Sequence, residues 1–315
     1  PRWLPGGNAQ TVWSALTARR FEGAAPHFRR ERWDTPDHDF VDVDWLGEDV
    51  AAPLLVLFHG LEGSSASHYA QAFAHWARGH GWRFAVPHFR GCSGELNLAP
   101  RAYHSGDFVE VGWMLAQARA RHAGPVAAVG VSLGGNALAR WAEEAGATAA
   151  HTVRAIGTVS APFDLAAGSR AIGRGFNRQT YTRMFLRSMK PKALAKLQQY
   201  PGLFDRDKML AARDLFEFDN IVSGPMHGFR DAADYYERCS ARSQLRRIRI
   251  PALLLNARND PFVPAASLPQ AQEVSAQVTL WQPAHGGHVG FPAGRWPGHV
   301  MTLPEQLMGW IAARI

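Results

Sequence analysis

Cysteine is almost missing from this chain: two, Cys92 and Cys239, stand far apart in 315 residues. That excludes a disulfide framework and suits a reducing cytoplasm, the expected location. Long hydrophobic runs are missing too. No stretch approaches the roughly 20 apolar residues that span a bilayer, and no signal-peptide pattern opens the chain. It begins at Pro1 rather than methionine, so nothing follows about an upstream anchor. There is no internal repeat and no low-complexity segment. Acidic residues are the scarcer charge, 27 against 34 Lys and Arg, leaving a net charge of +7. The arginines are scattered, apart from Arg29-Arg30-Glu31-Arg32 and Arg246-Arg247-Ile248-Arg249. A solvated surface explains them, and no nucleic-acid partner is expected. Peripheral contact with an anionic membrane is the better of the two special readings.

What is present is an ordinary globular composition, 46% hydrophobic and 19% charged. The length suits one large α/β domain or two small ones. Residues 1–26 read as an arm with a short helix from about Ala9 to Arg19, whose Trp3, Trp13 and Leu16 call for burial. Phe28–Trp33 and Phe40–Trp45 read as a hairpin across Thr35-Pro36-Asp37. Asp42 and Asp44 fall on one side of a half-exposed strand. Asp39, Asp42 and Asp44 lack the loop glycine of a calcium loop. From Leu54 onward, short apolar runs alternate with helical stretches. Strands are expected at Leu54–Phe58, Trp82–Pro87, Val126–Val131, Ala155–Ser160, Ala252–Asn256 and Gln277–Gln282. Helices are expected at Ser67–His80, Gly106–Arg121, Asn136–Glu144, Ala265–Val274 and Leu303–Ile315. Serial βα units of this kind imply an open, mostly parallel sheet covered on both faces.

One connection is abnormally long. Between the strands ending near Ser160 and beginning near Pro251, helical stretches appear at Thr180–Met189, Lys192–Gln199, Asp207–Phe216 and Arg230–Ala241. This segment is expected to cap the carboxyl edge of the sheet, where open α/β sheets bind ligands. The expected organisation is an arm at 1–26, a core at 27–162 and 250–315, and a cap at 163–249. Phe176, Tyr181, Met184, Phe185 and Met189 are candidates for an apolar tunnel or for ordinary cap core.

The chemistry centres on Gly130-Val131-Ser132-Leu133-Gly134-Gly135-Asn136, placed between a strand and a helix. G-x-S-x-G in that setting is the pattern of a nucleophile elbow. The chain reverses sharply there, so residues two before and two after the serine must be small. The serine hydroxyl then sits at a helix head, where backbone N–H groups favour developing negative charge. Serine needs a base, and the base needs an orienting acid. Asp260 follows a strand end in Asn259-Asp260-Pro261-Phe262. Its rival, Asp164 in Pro162-Phe163-Asp164, also reads as a helix cap. Two histidines in Ala284-His285-Gly286-Gly287-His288-Val289-Gly290-Phe291 compete as the base. Spacing favours His288 without excluding His285. Together they lack a third ligand at metal spacing, so no metal is expected. The N–H groups of Leu133 and of Leu61, in His59-Gly60-Leu61-Glu62-Gly63-Ser64-Ser65, are the candidate oxyanion donors. That loop lacks the Gly-Lys-Ser/Thr ending of a phosphate loop. Arg90-Gly91-Cys92-Ser93-Gly94-Glu95 reads as a structural turn, and Cys92 has no nucleophile motif around it.

Taken together, the motifs from His59, Phe89 and Gly130, with His227-Gly228-Phe229, Tyr235-Tyr236, Asp260-Pro261-Phe262 and Gly286–Phe291, carry a further implication. The set resembles the YheT-type branch of the α/β-hydrolase superfamily over nearly the whole chain, including Gln10-Thr11 in the arm. The resemblance implies an eight-stranded hydrolase sheet with a helical cap, and Ser132, Asp260 and His288 as a catalytic triad. It also implies no cofactor and a small-molecule or lipid ester as substrate, with short or medium acyl chains. Relatives often carry a second Asp where this chain has Asn259. The expected activity is ester hydrolysis through an acyl-enzyme. The competing expectations are acyl transfer, thioester or amide hydrolysis on the same residues, and a non-catalytic binding protein.

Overall fold

The strand Leu54–Phe58 (β3) shows why the sheet lies at the centre. All five of its residues are fully buried. Leu54, Val56 and Phe58 join one apolar core, while Leu55 and Leu57 join the core on the opposite face. A strand buried on both sides needs no alternation, which is why the run is continuous. The computed structural model describes residues 1, 3–17 and 24–315. Within it, β1 (Arg29–Asp34), β2 (Phe40–Leu46), β3, β4 (Arg83–Pro87), β5 (Val126–Val131), β6 (Ala155–Val159), β7 (Ala252–Leu255) and β8 (Val278–Trp281) form one eight-stranded sheet. The order is β1-β2-β4-β3-β5-β6-β7-β8. β2 runs antiparallel to both neighbours, and the rest of the sheet is parallel. The β3–β5 register pairs Phe58 with Gly130, so the loops after both strands emerge side by side.

An arm helix, α1 (Gly7–Thr17), precedes the sheet; the end of the expected arm helix, at residues 18 and 19, lies outside the described residues. α2 (His68–Gly79) packs on one face together with the closing helix. α3 (Phe108–Ala120) and α4 (Leu133–Ala145) pack on the other. Between β6 and β7 the chain runs through α5 (Leu165–Ile172), α6 (Gly175–Asn177), α7 (Arg183–Gln199), α8 (Arg206–Ala211), α9 (Leu215–Phe218), α10 (Gly224–Met226) and α11 (Ala232–Cys239). The closing helix is α12 (Thr302–Ala312), whose Leu307 lies against Gly157 in the sheet. Among the described residues no helix is long and apolar enough to cross a membrane.

Five expectations need correction. The helix expected at Asp207–Phe216 is two, α8 and α9, parted at residues 212–214, where Asp214 caps the second by accepting from the Glu217 N–H. α7 is one helix through Pro191, not two stretches. The proline is exposed, while Leu186, Ala193 and Lys196 are buried, and this packing offsets the roughly 3 kcal/mol penalty of an interior proline. The helix expected over 265–274 is two 3₁₀ turns, Ala265–Ser267 and Ala271–Glu273, separated by Pro269, which has no N–H to continue a ladder. β2 is not half-exposed: Asp42 and Asp44 are buried and held by Arg32 and Arg30 through two hydrogen bonds each. Leu16 is not covered but 74% exposed, whereas Trp3 makes edge-on contacts with Trp13 and Trp296.

Candidate active site

Strand β5 ends one residue before Ser132, whose backbone adopts φ 52° and ψ −118° at the head of α4. The turn is tight enough to dictate its neighbours. A Cβ on Gly130 would lie 2.4 Å from the Gly134 carbonyl oxygen. One on Gly134 would lie 2.5 Å from the carbonyl oxygens of Phe58 and His59. Strain gathers around this point. Among the described residues six non-glycines have positive φ. Five of them, Glu62, Ser132, Ser160, Val289 and Phe291, lie in the loops that meet here.

Asp260 and His288 reach the same place from beyond β7 and β8. His288 Nε2 lies 3.0 Å from Ser132 Oγ, and His288 Nδ1 lies 2.9 Å from Asp260 Oδ2. The other carboxylate oxygen of Asp260 accepts from the N–H groups of Phe262 and Val263. A ring that donates Nδ1–H to a carboxylate presents an unprotonated Nε2 to a hydroxyl, which is the tautomer a general base requires. Phe262 lies against the imidazole with centroids 4.2 Å apart and keeps its environment apolar. The rivals fall elsewhere. His285 is exposed and faces Asn259, and Asp164 caps α5 by accepting from the Ala167 N–H.

The loop after β3 is held by buried groups. His59 is fully buried, with Nδ1 2.8 Å from the Gly60 carbonyl and Nε2 accepting from the Phe89 N–H. Burial, with His88 adding to it, lowers its pKa to about 3, so the ring stays neutral and both contacts are satisfied. Glu62 is tied to Tyr103 through both its N–H and its carboxylate, and to Lys192 of α7 at 2.9 Å. Leu61, Leu133, Ser132 and His288 line one cavity, whose walls on the helical side include Ile172, Phe185, Met189, Phe218 and Val222. Of the tunnel candidates, Phe185 and Met189 line this cavity and Tyr181 packs beneath Phe262. Phe176 and Met184 face outward, 57% and 56% exposed. Cys92 has its thiol pKa pushed up to about 12 by burial and is no thiolate at neutral pH.

Sequence reasoning assigned no role to the arm at this site. Gln10 Oε1 accepts from the Gly286 N–H and from Asn259 Nδ2, while Asn259 Oδ1 accepts from the Gly287 N–H. Thr11 Oγ1 accepts from the His288 N–H and donates to the Gly7 carbonyl. An aspartate at 259 could not donate to Gln10, so the amide found here suits this bridge. The only sequence signal was Gln10-Thr11 within the resemblance.

The family model described as alpha/beta hydrolase fold matches residues 53–294. The chain belongs to the α/β-hydrolase fold family. Within it the YheT-type branch fits: YheT of Escherichia coli (strain K12), whose name assigns it provisionally as an esterase, is 41% identical over 288 residues. The match covers 89% of this chain and 84% of that protein. Phospholipase ABHD3 of Mus musculus is 28% identical, over 91% of this α/β hydrolase and 72% of that protein. Among solved structures, the Pyrococcus furiosus esterase Pf2001 gives a TM-score of 0.57 at 14% identity, covering 92% of this chain and 93% of that one. That structural likeness speaks to the fold alone.

Proposed function

We propose that this α/β hydrolase cleaves carboxylic esters, with Ser132 as nucleophile, His288 as general base and Asp260 as the orienting acid. The observation that carries the reading is the unbroken row from Asp260 Oδ2 to His288 Nδ1 and from His288 Nε2 to Ser132 Oγ, at 2.9 and 3.0 Å. In the first half-reaction Ser132 Oγ attacks the ester carbonyl as its proton passes to His288 Nε2. The tetrahedral oxyanion is held by the N–H groups of Leu61 and Leu133. Neither amide has a protein acceptor among the described residues. His288 then returns the proton to the leaving alcohol and an acyl-Ser132 ester remains. Water, deprotonated by His288, attacks that ester, releasing a carboxylic acid and restoring the hydroxyl.

The apolar wall of the cavity supports a small-molecule or lipid ester with a short or medium acyl chain. The provisional esterase name of one relative and the phospholipase name of another agree with that class. The test is Ser132→Ala against a series of nitrophenyl esters. Turnover should fall by roughly 10³-fold or more with the fold intact, and a fluorophosphonate probe should label the parent but not the variant. Unchanged turnover would exclude the mechanism.

A further inference from the structure

We propose that the outer face of α6, α7 and α1 docks this hydrolase on an anionic lipid surface. From Leu165 to Phe204 the chain carries no Asp or Glu, yet it holds arginines at 170, 174, 178, 183 and 187. Arg170 and Arg174 border a separate cleft with Asp164, Asp214 and Glu237, and the three lysines bind Glu62 or backbone carbonyls, which leaves Arg178, Arg183 and Arg187 for the outer face. The cavity takes one side of α7, through Phe185, Met189, Lys192 and Ala193. Helical geometry therefore turns Arg183, Met184 and Arg187 outward, and all three are exposed. Neither Arg183 nor Arg187, nor Arg178 in the turn before α7, has an acidic partner among the described residues. Elsewhere arginines are commonly paired, as Arg30, Arg32, Arg90 and Arg140 are.

Apolar side chains stand among these charges. Phe176 and Met184 are 57% and 56% exposed. The patch continues onto the arm, because Tyr181 Oη donates to Asn8 Oδ1 at the start of α1. Val12 and Leu16, four and eight residues after Asn8, share that helix face and are exposed at 37% and 74%. Phe176 alone could stack on a base, whereas Leu16, Val12 and Met184 offer a nucleic acid neither stacking faces nor hydrogen bonds. An acyl–headgroup boundary takes apolar side chains below and arginines level with its phosphates.

The patch also lies close to the chemistry. Phe176 contacts Tyr181, Tyr181 contacts Phe262, and Phe262 contacts His288, at centroid distances of 6.3, 4.6 and 4.2 Å. Docking on this face would place the cavity beside the bilayer surface.

Binding can be read without turnover, so the test is independent of the ester chemistry. The full chain is sedimented with vesicles of phosphatidylcholine alone or with about 30% phosphatidylserine. The parent should partition at least about 10-fold more strongly onto the anionic vesicles, and less as salt rises. Arg183→Gln/Arg187→Gln should lose roughly 10-fold or more of that partition, as should Phe176→Ser/Met184→Ser. Arg154→Gln/Arg249→Gln, exposed positions before β6 and β7 at the opposite edge of the sheet, should bind like the parent. Equal partition onto neutral and anionic vesicles would overturn the proposal. So would unaltered binding by both patch variants, or DNA retention that only the arginine variant loses, with vesicles ignored.

Discussion

The backbone N–H of His288 donates to the hydroxyl of Thr11 at 2.8 Å, across 277 positions of chain. The arm thus holds the loop that carries the proposed base, and the adjacent Gln10 grips the same loop two residues earlier, at Gly286. Thr11→Val removes the acceptor and leaves a buried N–H unpaired, a cost of about 1–3 kcal/mol. Turnover of a nitrophenyl ester should fall about 10-fold, mostly in kcat, because a displaced imidazole impairs the chemical step more than binding. Thr11→Ser should restore most of it. An unchanged kcat in the valine variant would show that the arm is ornamental.

Two aspartates separate a role in orienting the base from a role in local structure. Asp260→Asn should cut kcat by about 10⁴-fold with little change in stability, since an amide favours the wrong imidazole tautomer. Asp164→Asn keeps a side chain able to cap α5 and should leave both activity and the melting temperature nearly unaltered. Steady-state kinetics and thermal melts on the two variants decide this. Equal losses of activity would contradict the assignment.

The cavity wall on α7 should set the limit on acyl length. Met189 lines the cavity, and a bulkier indole there would fill space that an acyl chain needs. Met189→Trp should leave hydrolysis of acetyl esters within about threefold of the parent. It should lower kcat/KM on longer esters, by roughly 0.8 kcal/mol for each methylene denied burial. Parallel chain-length profiles for parent and variant would place the acyl group elsewhere.

Acid sensitivity should come from the carboxylates buried beside β2. Burial works to raise the pKa of Asp39. The Asn97 side chain and the N–H groups of Leu98, Ala99 and Phe40 overcome that and hold it at about 2, below the ordinary 3.8. Asp44 is lowered as well: burial opposes ionisation, but His88, Arg30 and Ser65 outweigh it. A depressed folded-state pKa contributes stability that is complete above the unfolded value and lost as pH falls through the folded one. Urea unfolding midpoints should therefore drop between about pH 4 and pH 2. Asp39→Asn should be less stable at neutral pH and show a shallower drop over that window. Equal slopes would assign the acid transition to other groups.

Local pattern alone made much of this molecule legible. Continuous apolar runs specify strands buried on both faces, and small residues around Ser132 specify a turn that admits nothing larger. Chain order put an acid and a histidine beyond later strand ends. These features depend on residues close in sequence, and such interactions survive without knowledge of the rest. The tertiary structure decided what lies opposite each residue. Nothing in Asp42-Val43-Asp44 announces that arginines of β1 will cover both carboxylates, so alternation looked like exposure. Nothing near Pro191 announces that packing of Ala193 and Lys196 carries the helix through it. Thr11 and His288 share no local signal at all. Their bond exists because α1 packs against the loop after β8, the edge strand farthest from β1, and a hydrogen bond is specified only when both partners have arrived.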